Sequence, residues 1–112
     1  KTSDLIKFIY ESLDKRKAED IIVLDIKGLS SIADYFIVAS SNSERGVKSL
    51  SENLLKDMKK ELKMKVKIDG VNDKRWIVID TGDVIIHVFH SETRKIYDIE
   101  SLWYEAKKIN AL

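Results

Sequence analysis

The chain has 112 residues, enough for one domain with a core of its own and no need of disulfide or metal staples. Its hydrophobic content of 44% includes no apolar run near the roughly 20 residues that cross a bilayer, so a membrane-spanning helix is excluded. Twenty basic against nineteen acidic side chains leave no global positive field for phosphate-driven nucleic-acid binding, and without Cys there is no disulfide, thiol nucleophile or Cys-based zinc site. With no secretory signal in view, the expectation is a single cytoplasmic domain, 1–112, outside any membrane.

In chain order, Ser3 is placed to cap a helix whose apolar positions Leu5, Ile6, Ile9 and Leu13 share one face. Lys15-Arg16-Lys17 then reads as a solvated connection. Ile21 to Ile26 and Asp34 to Ser40 are apolar on both alternating faces, which predicts two strands in the middle of a sheet. Gly28 breaks the first of them, and Ser31 with Asp34 resembles a one-turn capping arrangement. Ser41 with Glu44 fits a capping box, opening a long helix with Val47, Leu50, Leu54 and Met58 inside, a solvated polar face, and an end near Leu62.

Val66 and Ile68, between lysines, read as a short edge strand, and Val71 to Arg75 as a loop. Trp76 to Asp80 and Val84 to His90 then form a hairpin. A two-residue turn at Thr81-Gly82 predicts Val78 opposite Ile85 and Trp76 opposite His87. One face of the hairpin is purely aliphatic (Ile77, Ile79, Val84, Ile86, Val88), while the other carries Trp76, His87 and Phe89, a mixture suited to a contact surface or a helix-covered layer. Ser91 is expected to cap a short turn through Arg94 and Ile96. From Asp98, residues Ile99, Leu102, Trp103, Ala106 and Ile109 make a helical stripe, with Trp103 as its structural anchor. The order α, β, β, α, β, β, β, α implies an α/β (α+β) fold, a mixed β-sheet of about five strands packed by helices.

Few constellations carry chemistry. Ser40 to Ser43 before a helix, with Asp25, Asp80 and Asp83, supplies raw material for a nucleotide-binding or nucleotidyl-transferring enzyme, yet Asp-Thr-Gly-Asp is also what a tight turn favours for backbone reasons. His87 and His90 fall on opposite strand faces and cannot ligate a metal together. No metal or cofactor is therefore expected. Arg94 is placed to pair with Glu92 or Glu100 and lock the junction before the last helix. Tyr35 and Phe36 point to opposite faces, and at most one reaches a surface.

Taken together, Lys17-Ala18-Glu19-Asp20-Ile21, Asp34-Tyr35-Phe36, Ser43-Glu44-Arg45, Trp76 to Asp80, Gly82 to Phe89, Glu92, Arg94, Tyr97 and Glu100-Ser101-Leu102-Trp103 resemble the ribosomal silencing factor family (RsfS, Iojap). The resemblance runs from about Lys17 to Ala106. Ser41, Gly46 and Asp69 depart from the family's usual Gly, Gln and Glu. The resemblance implies a nucleotidyltransferase-like topology without catalysis. It also implies binding to the large ribosomal subunit through its protein numbered fourteen, which blocks joining of the small subunit and lowers translation under nutrient limitation. For a near-neutral chain, docking on protein is the better-supported mode than sequence-specific grip on nucleic acid. The expected partner-binding residues are Tyr35, Trp76, His87, Phe89, Arg94 and Tyr97, although an aromatic sheet face could equally bury itself against a second copy in a homodimer.

Overall fold

Apolar residues on both faces need cover on both sides, and Tyr35–Ser41 (β2) lies in the middle of the sheet. Glu19–Asp25 (β1) pairs with it antiparallel, and Val84–His90 (β5) pairs with it parallel. In the computed structural model, which describes residues 2–64, 66–69, 74–102 and 107–109, Lys67–Asp69 (β3), Trp76–Asp80 (β4) and Lys107–Ile109 (β6) complete the order β3-β4-β5-β2-β1-β6. The mixed α/β sheet expected from the sequence is thus present, with six strands among the described residues instead of about five. The three-residue β3 is the expected edge strand, exposed at all three residues and bearing Lys67.

Thr2–Lys15 (α1) and Glu44–Asp57 (α2) cover one sheet face, and α2 runs on into a π-helical turn, Met58–Leu62. Ile6, Ile9 and Leu13 from α1 meet Val47, Leu50 and Leu54 from α2 and Met58 from the π-helical turn over the aliphatic side of β4 and β5, where Ile79, Val84, Ile86 and Val88 are fully buried. Burial on this scale, about 1.5–3 kcal/mol per large aliphatic side chain, holds the helices to the sheet. The opposite face is smaller and partly aromatic, with Leu24, Ile26, Phe36, Val38, Phe89 and Ile99 at its centre. It carries two short helices, Ser91–Tyr97 (α3) and Ile99–Leu102 (α4).

Several boundaries move for identifiable reasons. Helix α1 begins at Thr2, so Ser3 lies in its first turn instead of capping it. Ser41 is still strand, paired with His90, and the cap of α2 is Ser43, whose hydroxyl accepts from the Gly46 amide at 2.9 Å. His90, not Ser91, caps α3, its Nδ1 accepting from the Glu92 amide. Around Ser31 there is no helical turn; Ser30 Oγ accepts from the Ile32 amide. The last described helix is Ile99–Leu102, and Lys107–Ile109 pairs antiparallel with Val23–Asp25 as β6, so Ile109 does not continue a helical stripe. Trp103 and Ala106 lie outside the described residues, as do 71–73 of the expected loop, while Lys74 and Arg75 form a turn.

Arg16 does more than solvate a connection. Its guanidinium donates to Asp57 Oδ2 at 2.7 Å and Oδ1 at 3.3 Å, and Ser12 Oγ donates to the same carboxylate at 2.7 Å, so α1 and α2 are tied where the sequence suggested a solvated polar face. The Arg16 and Ser12 hydrogen bonds hold the Asp57 carboxyl below the usual carboxylate range. Asp57→Ala is expected to lower stability by about 1–2 kcal/mol, seen as a lower urea midpoint at unchanged slope. The loss shrinks as pH falls below 3.8, where protonation of Asp57 weakens the same bonds in the unmodified chain.

Candidate functional site

The hairpin of β4 and β5 sets the geometry of the aromatic face. Trp76 lies opposite Phe89, Val78 opposite His87 and Asp80 opposite Ile85, a register two residues away from that of a turn at Thr81-Gly82. The turn slides one residue along, to Gly82-Asp83, because Thr81 and Val84 pair across it. The Thr81 amide and hydroxyl both donate to the Val84 carbonyl, at 3.0 and 2.8 Å, and Asp80 Oδ1 accepts from the Gly82 amide. A slip of two preserves every side chain's face, so Trp76, His87 and Phe89 still point together, away from α1 and α2.

On that face Trp76 is half-buried and Phe89 fully buried beneath it, their rings stacked at 4.8 Å. Tyr97, at the end of α3 and half exposed, meets the same indole at 4.6 Å. Trp76 and His87 are diagonal neighbours across the strands, and Trp76 Nε1 donates to His87 Nδ1 at 3.1 Å. Phe36, from β2, meets the imidazole edge-on at 4.8 Å. Burial among these rings pushes the His87 pKa down to about 4.

The six expected residues therefore take four positions. Trp76 and Tyr97 reach solvent, whereas His87 and Phe89 lie under them. Arg94 is buried at the root of α3, where its guanidinium donates to Ser40 Oγ at 3.0 Å, the Glu19 carbonyl at 3.4 Å and Glu100 Oε2 at 3.4 Å. It pairs with Glu100, and Glu92 faces Arg75 instead. Tyr35 points to the opposite sheet face, where its hydroxyl accepts from Lys27 Nζ at 2.8 Å. That bond, with the nearby Asp25 charge, raises the Lys27 pKa. Two residues were outside the expected set. Phe36 falls on the Trp76 face by strand alternation, and Ile96, 78% exposed, precedes Tyr97 on α3.

The acidic and hydroxyl groups of the enzymatic alternative do not meet. Asp83 precedes the start of β5, where Val84 pairs with Tyr35, whereas Ser41 pairs with His90 six residues further along the same parallel ladder, roughly 20 Å away at strand rise. Asp25 accepts from the Lys27 amide and Asp80 from the Gly82 amide, both ordinary turn contacts. Among the described residues, no three His, Cys, Asp or Glu side chains are grouped to hold a metal ion.

Comparison with known proteins accounts for the whole chain. A family described as "Ribosomal silencing factor during starvation" matches residues 1–112. A ribosomal silencing factor from Bacillus subtilis is 38% identical over 103 residues, covering 91% of this chain and 86% of that protein. The mouse "Mitochondrial assembly of ribosomal large subunit protein 1" is 33% identical over 102 residues, covering 88% of this chain and 44% of its own. A crystal structure of a protein from Chromobacterium violaceum superposes with a TM-score of 0.86 at 35% identity, over 92% of this chain and 86% of that one. With a match from end to end, relatives of this identity and the same fold, the chain belongs to the ribosomal silencing factor family.

Proposed function

We propose that this protein docks on the large ribosomal subunit through the subunit's protein numbered fourteen, blocks joining of the small subunit and so lowers translation when nutrients are scarce, with no reaction catalysed. The observation that carries the reading is the aromatic platform, a half-exposed Trp76 resting on buried Phe89 and flanked by exposed Tyr97, with exposed Ile96 next to Tyr97 in α3. A rigid indole on a dry base is the kind of group that anchors protein interfaces. The family description speaks of ribosomal silencing, and the mouse relative is named for large-subunit assembly, which supports the choice of partner. Trp76, Tyr97 and Ile96 make the contact in this reading. His87, Phe89 and Arg94 support it from below, and Tyr35 belongs to a separate corner of the molecule.

The test is sedimentation of the chain with isolated large subunits, followed by addition of small subunits. Co-sedimentation and a falling joined fraction are expected, with binding lost on large subunits lacking protein fourteen. Unchanged joining at saturating protein would sink the reading. Calorimetry with ATP or GTP and magnesium is expected to give no saturable heat; a saturable signal abolished by replacing Asp83 would instead favour the nucleotidyl-transfer alternative.

A further inference from the structure

We propose that His87 is a positioning residue for docking, its Nδ1 holding the Trp76 indole in the orientation that spans Phe89 and Tyr97; this rests on the reading of Trp76 as the docking anchor. Indole Nε1 can only donate, so a bond from it to His87 Nδ1 requires that nitrogen to be bare and the ring proton to reside on Nε2. Nε2 is buried and has no hydrogen-bond partner among the described residues. An unpartnered buried donor is a standing cost, and Phe or Leu at this position would fill the space without it.

What imidazole supplies here that a hydrocarbon ring would not is the acceptor at Nδ1. The groups packed on His87 are Phe36 from β2, Trp76 from β4 and Phe89 from its own strand, and across the β4 pair stands Val78. None of them is charged, and the indole N–H is the donor that His87 Nδ1 accepts from. Trp76 is only half-buried, at the first residue of its strand, so its ring is held on one side by Phe89 and Tyr97 and open to solvent on another. A bond fixing the ring before contact removes ordering that the partner would otherwise have to impose.

Two substitutions in the full chain separate this role from simple packing. His87→Phe keeps a ring and removes the acceptor, whereas His87→Asn removes the ring but places an amide oxygen where Nδ1 stood. The readouts are the Trp76 indole N–H resonance, assigned by its loss in Trp76→Phe, and affinity for isolated large subunits. The expected result is an upfield, faster-exchanging indole signal and roughly fivefold to tenfold weaker binding for His87→Phe, with both restored toward normal in His87→Asn. The reverse order, Phe binding normally and Asn weakly, overturns the proposal in favour of packing, as does a shifted indole signal with unchanged affinity. Should His87→Phe fail to fold, the wild-type chain decides: its indole signal must move with the same acid midpoint as the His87 ring protons, and an indole signal indifferent to that titration overturns the proposal. If Trp76→Ala binds large subunits normally, the docking reading itself fails and the positioning role goes with it. If Trp76→Ala weakens binding while His87→Phe does not, only the positioning role fails.

Discussion

Trp76→Ala is expected to weaken binding to the large subunit about thirtyfold, equivalent to about 2 kcal/mol, while leaving the fold intact. The indole is the largest side chain on the aromatic face that is partly open to solvent, and it contacts three residues that cannot substitute for it. Phe89 is fully buried, His87 nearly so, and Tyr97 projects from a short helix, so removal of the indole leaves a hollow instead of a neighbouring anchor. Tyr97→Ala should have a smaller effect, since half of that side chain is already solvated. Lys48→Ala, on the exposed side of α2 across the sheet, should bind normally. Sedimentation or surface-immobilised large subunits give the ratios, and circular dichroism confirms that each variant is folded. Equal affinity for Trp76→Ala and the unmodified chain would move the docking surface elsewhere on the molecule.

Acidification should reveal His87 in the stability of the free protein. Its folded pKa lies at about 4, against 6.5 when unfolded, because the charged ring would be buried among Phe36, Trp76 and Phe89. The unfolded chain therefore takes up a proton that the folded chain refuses. Stability from this group is fully present above pH 6.5 and is lost progressively as pH falls to about 4, by about 3 kcal/mol in total. Asp57 also loses stabilisation in acid, but only below its ordinary 3.8, so its loss and that of His87 fall in different pH intervals. Urea unfolding at a series of pH values should show this slope in the wild type and a much flatter one in His87→Asn. A flat profile in the wild type would mean that the ring is solvated or paired with an acid.

The face carried by each hairpin residue was legible because strand alternation depends only on parity. Trp76, His87 and Phe89 were grouped correctly even though the turn shifted the register by two. The turn itself was not legible, since Asp80-Thr81-Gly82-Asp83 suits a turn at Thr81-Gly82 as well as the one at Gly82-Asp83 that the Thr81 hydroxyl helps to close. Caps were misplaced where two candidates sat close together. Ser41 and Ser43 both precede a helical pattern, and only the pairing of Ser41 with His90 keeps the first in the strand. Arg94 illustrates a different limit. Its partners Ser40 and Glu19 lie on strands far away in sequence, so a helix-face reading could find Glu100 but not the burial. The tail was misread because Ile99, Leu102 and Ile109 fit helical spacing, while the chain beyond the short helix was recruited by an unfilled strand edge.

That edge has a consequence for the protein's birth. β1 is made early and β6 is the last described strand to be made, so the backbone amides and carbonyls of Val23–Asp25 on that side have no partner through most of synthesis. Until the tail arrives, the nascent sheet is a template open to any extended chain nearby. Lys107–Ile109 covers Val23–Asp25 of β1, and chains released before Lys107 should be recovered in greater proportion in the pellet or with chaperones.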